Sequence, residues 1–61
     1  MKLNYYYKSK IGIIKILRIE KKWFNKYIEI KDTNNKIFFV LDSFLKDIEE
    51  LPKEKYPELY L

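Results

Sequence analysis

Histidine and cysteine are both absent from this chain of 61 residues, and glycine occurs once. Without cysteine no disulfide can form, and a zinc site of the usual Cys/His type is excluded. The commonest general base and the best side-chain nucleophile are missing too, so we expect no enzyme. A single glycine also excludes a phosphate-binding glycine-rich loop and a dinucleotide-binding fingerprint. We therefore expect no catalytic residues, no metal and no cofactor.

The chain also lacks a long hydrophobic run, because Lys15 and Arg18 interrupt its most apolar stretch. This stretch is far shorter than the roughly 20 apolar residues that a membrane-spanning helix needs, and no signal peptide is recognisable. These features favour a cytoplasmic protein without membrane partners.

Small size limits how the chain can be stabilised. A domain of about 60 residues buries only about 60% of the surface that its unfolded chain exposes. Such domains usually depend on disulfides, a metal or a partner chain, and here only the partner chain remains. At 48% hydrophobic residues, the chain is too apolar to be a disordered tail. We therefore expect a folded domain that forms a homodimer.

Positive charge and aromatic residues are concentrated in the first forty residues. This part carries ten of the thirteen Lys/Arg, three of the nine Asp/Glu and eight of the eleven aromatic residues. Basic charge interleaved with aromatic side chains is typical of nucleic-acid-binding proteins. The alternative is that AT-rich codons, which favour Lys, Ile, Asn, Tyr and Phe, produce this composition without any role in nucleic-acid binding.

Four segments have the composition and alternation of β-strands. The segment 13–20 is apolar on both faces near its start, which predicts a central strand or one that faces a partner chain. Residues 32–35 have turn chemistry, because Asp and Asn tolerate a positive φ, whereas residues 21–25 are predicted to form a loop. The predicted strands are residues 3–8, 13–20, 27–31 and 37–41.

A helix is predicted over about residues 43–51, with Asp42 or Ser43 as its N-cap. Pro52 would end it, since the residue before a proline is disfavoured in the helical region. The fold class is thus predicted as α+β: a small antiparallel β-meander of about four strands closed by one C-terminal helix. The apolar stripe at i, i+3, i+4 and i+7 spacing, which favours this helix, consists of Leu41, Phe44, Leu45, Ile48 and Leu51.

The domain is predicted to span residues 1–51, with residues 52–61 as a C-terminal tail. Four large apolar side chains follow the two prolines of this tail, which a fully solvated segment does not need. We expect the tail to dock on its own domain or on a neighbour. The side chains concerned are Tyr56, Leu59, Tyr60 and Leu61.

A surface that binds nucleic acid needs cations that contact the phosphates and aromatic rings on which the bases stack. Each stacked base contributes about 1–3 kcal/mol to binding. The densest combination of both lies in residues 21–26. We predict binding of single-stranded DNA or RNA with little sequence specificity. The predicted site consists of Tyr6, Lys15, Arg18, Lys21, Lys22, Trp23, Lys26 and Tyr27.

The strands followed by IFFVLDSFLKDIEEL resemble the ending of single-stranded-DNA-binding modules of the Pur-alpha and positive-cofactor-four (transcriptional coactivator) types. The resemblance covers residues 23–51 and implies a four-stranded antiparallel meander closed by one helix, working as a dimer on single-stranded DNA. This chain has Asn25-Lys26 where the Pur type tends to show Gly-Arg before the third strand. The matching positions are Phe24, Ile28, Ile30, Ile37, Phe39, Phe44, Ile48 and Leu51.

Two further interpretations stay open at this point. The chain is similar to the small chromatin proteins of hot-spring archaea in being Lys-rich, Cys-free and rich in β-strands, so a duplex target is an alternative. It is also compatible with a phage- or mobile-element-type protein-binding module that inhibits or modulates a host protein. Exposed aromatic side chains would then be interface anchors, since Tyr and Trp dominate binding hot spots.

Overall fold

A computed structural model describes residues 2–61 as one five-stranded antiparallel sheet without an α-helix. The strand order is β4-β3-β2-β1-β5, so the first and last strands of the chain are neighbours. The predicted antiparallel sheet is confirmed, whereas the predicted α+β class is wrong. The strands are β1 (Tyr6–Ser9), β2 (Gly12–Lys22), β3 (Asn25–Lys31), β4 (Ile37–Leu41) and β5 (Glu49–Leu51).

No C-terminal helix forms over residues 43–51. A single 3₁₀ turn at Asp42–Leu45, without a side-chain cap, is followed by strand β5. The reason is tertiary, because β5 pairs with β1 and supplies partners for the backbone N–H and C=O groups of β1. A helix of about nine residues is marginal by itself and does not outweigh this pairing.

The hydrophobic core lies on one face of the sheet, which we call the inner face. Four isoleucines of the two central strands are fully buried there. The 3₁₀ turn covers them, with Leu45 buried and Phe44 and Ile48 packed at the margin. Part of the predicted apolar stripe (Phe44, Leu45 and Ile48) therefore does pack against the core, although not as a helix, whereas Leu41 lies on the opposite face and is 47% exposed. The fully buried residues are Ile14, Ile16, Ile28 and Ile30.

A β-bulge at Leu17 changes which residues of β2 face the core. Ile16 pairs with Ile30, but the next pair is Arg18 with Glu29, so the intervening residue has no partner on β3. Beyond the bulge, Ile19 faces inward, opposite the buried Ile28. The bulge thereby turns Arg18 onto the face opposite the core, which we call the outer face.

The tail joins the sheet through Tyr60, in a second 3₁₀ turn at Pro57–Tyr60. The Tyr6 backbone N–H donates to the Tyr60 hydroxyl oxygen (3.0 Å), and the same hydroxyl donates to the Leu51 carbonyl oxygen (2.6 Å). Because Tyr6 and Leu51 are cross-strand partners, the hydroxyl bridges β1 and β5. The Tyr60 ring also contacts the rings of Tyr5 and Tyr6 edge-on.

Candidate nucleic-acid interface

The outer face of strands β2, β3 and β4 carries three rows of cross-strand neighbours. The alternation of strand residues places these side chains opposite the buried isoleucines. No α-helix covers this face in the described part of the chain, and the tail reaches it only at one end, where Leu59 lines a pocket with Lys15 and Lys31. Over the rest of the face, polar and aromatic groups are exposed to solvent together. The rows are Lys15–Lys31–Ile37, Arg18–Glu29–Phe39 and Glu20–Tyr27–Leu41.

Arg18 organises the middle of the outer face. Its guanidinium lies 3.8 Å from carboxylate oxygens of both Glu20 and Glu29, and 5.7 Å from the centre of the Phe39 ring. Lys22 Nζ lies 3.7 Å from the other oxygen of Glu20. These groups surround an open groove of about 520 Å³, which combines charge with aromatic walls. Its lining residues are Arg18, Glu20, Lys22, Trp23, Tyr27 and Phe39.

A pair of lysines lies at one end of the outer face. Lys15 and Lys31 are directly opposite each other on β2 and β3. Like charges at such positions repel and destabilise the sheet, and neither lysine makes an ion pair within residues 2–61. Lys15 Nζ lies 5.7 Å from the centre of the Tyr6 ring. The pair is therefore a local concentration of positive charge that an anion would relieve.

The other end of the outer face is the β2–β3 hairpin tip, residues 21–26. β1 pairs with β2 only as far as Lys15, so the hairpin projects beyond β1. Lys22 and Asn25 are cross-strand partners, which leaves a loop of only two residues. These two residues are Trp23 and Phe24, which are 91% and 98% exposed. Two large aromatic rings are thus presented to solvent at the apex of the hairpin.

The backbone of Trp23 is strained. Its φ of 57° lies in the left-handed region, which is uncommon for residues other than Gly, Asn and Asp and is an outlier for a bulky side chain. Two-residue hairpin loops favour Gly, Asn and Asp for this reason. The chain uses such residues elsewhere, since Asn4, Asn35 and Gly12 hold its other positive φ angles among the described residues. Rules of local structure are most often broken at functional sites.

We expect Trp23→Asn to stabilise the fold. The left-handed region costs an ordinary residue about 1–2 kcal/mol, and asparagine should recover part of this cost because it tolerates the region better. A side chain that is 91% exposed loses little packing when it is replaced. The midpoint of thermal unfolding should rise by roughly 4–8 °C for each kcal/mol in a domain of this size.

Phe24→Asn is the matched control, because Phe24 is as exposed as Trp23 but has no positive φ. It should leave the melting temperature nearly unchanged. Equal shifts for the two variants, or a lower melting temperature for Trp23→Asn, would show that the turn is not strained by its tryptophan.

The eight residues predicted to form the site are divided between two faces. Trp23 lies at the apex of the hairpin. Lys21 and Lys26 are cross-strand partners, and they lie on the inner-face side of the hairpin tip, away from the others. The outer face brings together Tyr6, Lys15, Arg18, Lys22 and Tyr27.

Several residues of this surface are absent from the site predicted from the sequence. Phe39 and Lys31 belong to this surface. The alternation of side chains along β3 and β4 places both on the face opposite the core, and this alternation could have identified them from the sequence. Glu20 and Glu29 were not anticipated, because a search for cations and aromatic rings does not find carboxylates that hold those cations in place.

Other kinds of site find no support within residues 2–61. No group of three or more His, Cys, Asp or Glu side chains is arranged to hold a metal ion there. None of the helical segments in this part of the chain is long and apolar enough to cross a membrane. The chain matches no protein-family model, no curated protein and no solved structure, so its function is inferred from the outer face and the hairpin tip.

Proposed function

We propose that this protein binds single-stranded nucleic acid along its outer face, without catalysis and with little sequence specificity. The observation that carries the proposal is the hairpin tip, where Trp23 and Phe24 are almost fully exposed between lysines and adjoin an uncovered aromatic groove. A strained tryptophan at the apex costs stability and contributes nothing to the core. Stacking of the Trp23 ring on a ligand would explain why this side chain is exposed at the apex.

The outer face has the length and the groups for a short stretch of single strand. From the Lys15–Lys31 pair to Asn25 the sheet extends for about 20 Å, at roughly 3.3 Å per residue. Aromatic rings of Phe39, Tyr27 and Trp23 lie along this path. Stacking on such rings tolerates any base, since every base has a π-face.

The charges on this face determine where phosphates bind. Glu20 and Glu29 repel phosphates from the middle of the groove, where they hold Arg18. Phosphates are therefore expected at the ends, on the Lys15–Lys31 pair and beside the hairpin tip. The ion pairs of the groove are weak, because they are partly exposed to water and such pairs contribute about 0–1 kcal/mol. Binding can consequently rearrange them at little cost.

A preference for single strands follows from the stacking groups. The base faces of a duplex are hidden in its own stack, whereas unpaired bases offer theirs to aromatic side chains. The outer face is a surface of three paired strands that provides aromatic rings, whereas the major groove of a duplex admits an α-helix or a two-stranded ribbon. A duplex would contact only the lysines.

The test is a titration of a fluorescent single-stranded oligonucleotide and its duplex at about 50 and about 200 mM salt. We expect the single strand to bind more tightly than the roughly 10⁻⁴–10⁻⁶ M typical of non-specific binding, and binding to weaken at the higher salt concentration. Trp23→Ala should weaken it about 5- to 150-fold, which corresponds to about 1–3 kcal/mol of stacking. Lys15→Ala with Lys31→Ala should lower the salt slope by about 1.4.

Lys53→Ala with Lys55→Ala is the control for the lysine variant. It removes the same charge from an exposed part of the tail, away from the outer face of the sheet, and should leave the salt slope almost unchanged. Equal losses in the two double variants would mean that only the overall charge matters. In that case, or if the wild type binds no more tightly than any basic protein, the proposal fails.

The same tip supports a second candidate, a module that binds a host protein. Trp23 and Phe24 would then be anchors that fill a pocket of the partner, as aromatic residues do in binding hot spots. Salt separates the two functions. Binding to nucleic acid falls steeply with salt through counterion release, whereas an interface built on two aromatic anchors depends on salt only weakly.

A further inference from the structure

Strand β4 is an unprotected edge of the sheet. It pairs with β3 alone, and no other described part of the chain lies along its second side. All five of its residues, Ile37–Leu41, are apolar. Proteins normally protect such an edge with a charged residue, a proline or a bulge, because an exposed apolar edge pairs with other chains. None of these devices occurs in β4.

The hydrogen-bond pattern shows which backbone groups of β4 are free. The Asp32 N–H donates to the Lys36 carbonyl oxygen at 3.0 Å, so Lys36 turns its carbonyl toward the β3 side. Hydrogen-bonding direction alternates along an antiparallel strand. Phe38 and Val40 therefore face β3, and the backbone N–H and C=O groups at the free edge belong to Ile37, Phe39 and Leu41.

The same three residues carry the exposed side chains of the strand. Ile37 is 54% exposed, and Phe39 and Leu41 are each 47% exposed. Free backbone groups and apolar surface thus coincide on one side of β4. A second β-strand fits this edge, because it would form hydrogen bonds with the free N–H and C=O groups. It would also place apolar side chains next to those of Ile37, Phe39 and Leu41.

The charged residues on either side of β4 favour a second copy of this chain as the partner strand. Lys36 precedes the strand and Asp42 follows it, each three positions from Phe39. In an antiparallel pairing with a two-fold axis at Phe39, Lys36, just before β4 of one copy, comes level with Asp42 of the other, which opens the 3₁₀ turn directly after β4. This happens at both ends of the interface. Neither side chain makes an ion pair within residues 2–61. Opposite charges at such cross-strand positions stabilise a pairing.

We propose that the chain forms a homodimer in which β4 pairs antiparallel with β4 of a second copy, centred on Phe39. One sheet then runs through both molecules, and their outer faces lie side by side. The inference does not depend on the proposed nucleic-acid binding. An interface of one short strand is smaller than a standard interface of about 1,600 Å², so we expect a dissociation constant in the micromolar range.

Sedimentation equilibrium from about 1 μM to about 1 mM protein tests the dimer. Phe39→Pro removes a backbone N–H that faces the free edge, and proline is tolerated on edge strands. This variant should be a folded monomer, while Phe39→Thr, which keeps the N–H, should still dimerise. If the wild type is monomeric throughout, or if Phe39→Thr and Phe39→Pro dissociate alike, the proposed edge pairing is wrong.

A charge exchange tests the register without disturbing the strand. Lys36→Glu places carboxylates opposite each other at both ends and should weaken the dimer at least several-fold. Adding Asp42→Lys restores opposite charges and should recover the affinity. If the second substitution gives no recovery, the Phe39-centred register is ruled out, even where Phe39→Pro does not fold.

Discussion

Ile28→Ala is expected to remove most of the stability of the fold. Ile28 is fully buried in β3, between Ile19 of β2 and Val40 of β4. Truncation of a buried isoleucine to alanine costs about 2–5 kcal/mol, because apolar contacts are lost and a cavity remains. A single core below about 70 residues rarely supplies more than about 3–5 kcal/mol. Urea unfolding followed by circular dichroism should show a midpoint near zero denaturant.

Ile11→Ala is the matched control, since the same groups are removed from a side chain that is 47% exposed in the β1–β2 turn. Surface substitutions of this kind usually change the free energy of unfolding by no more than about 0.5 kcal/mol. Similar midpoints for the two variants would contradict a core built on the inner face.

Tyr60→Phe is expected to weaken the attachment of β5 to β1. The hydroxyl of Tyr60 accepts from the Tyr6 N–H at 3.0 Å and donates to the Leu51 carbonyl oxygen at 2.6 Å. Phenylalanine keeps the ring but leaves both backbone groups without this partner. An unsatisfied buried polar group costs about 1–3 kcal/mol, and because these two hydrogen bonds are only partly buried, we expect a loss at the lower end of this range. The midpoint of chemical unfolding should fall while the slope m stays constant, which indicates a change in stability alone.

Tyr56→Phe gives the comparison, because the Tyr56 hydroxyl has no hydrogen-bond partner within residues 2–61. This variant should unfold at the wild-type midpoint. A loss of stability equal to that of Tyr60→Phe would mean that the hydroxyl of Tyr60 does not act as a bridge.

The β3–β4 hairpin was predictable because its signals are local. Ile28 and Ile30 alternate with polar residues, and residues 32–35 have the Asp and Asn that a turn requires. In the structure the Asp32 carboxylate accepts from the N–H groups of Asn34 and Lys36, at 2.9 Å each. The alternation of apolar and polar residues and the turn-forming residues therefore determine this hairpin, and no contact with distant residues is needed to predict it.

The C-terminal segment was not predictable in the same way. The stripe through Phe44, Ile48 and Leu51 has helical spacing, and nothing near it in the chain shows that the edge of β1 is free. Glu49 lies opposite Lys8 in the sheet, a pairing of opposite charges that only the tertiary structure reveals. The bulge at Leu17 is equally hidden, because strict alternation would keep Arg18 on the inner face with Ile16.

The candidate site was predictable in its residue types but only partly in its geometry. Trp23 and the lysines around it are conspicuous in the sequence. The two-residue loop, however, depends on the register of β2 and β3, and this register places Lys21 and Lys26 on the other side of the hairpin. Strand alternation separates Phe38 from Phe39, but only the assembled sheet shows which ring meets Arg18.

The position of β1 between β2 and β5 has a consequence for the order of folding. β2 follows β1 immediately, whereas Tyr7 of β1 and Glu50 of β5 are 43 residues apart. Because closing a long loop costs entropy before its contacts form, the adjacent hairpins should assemble first and β5 last. Ile28→Ala should therefore slow folding, whereas Tyr60→Phe should mainly accelerate unfolding. Until the chain end reaches β1, the tyrosine-rich strand β1 forms this edge of the sheet, whereas in the folded molecule the edge is the short β5, which contains two glutamates and is followed by Pro52. Charged residues and proline protect an edge, so each new molecule is most prone to aggregate before β5 pairs.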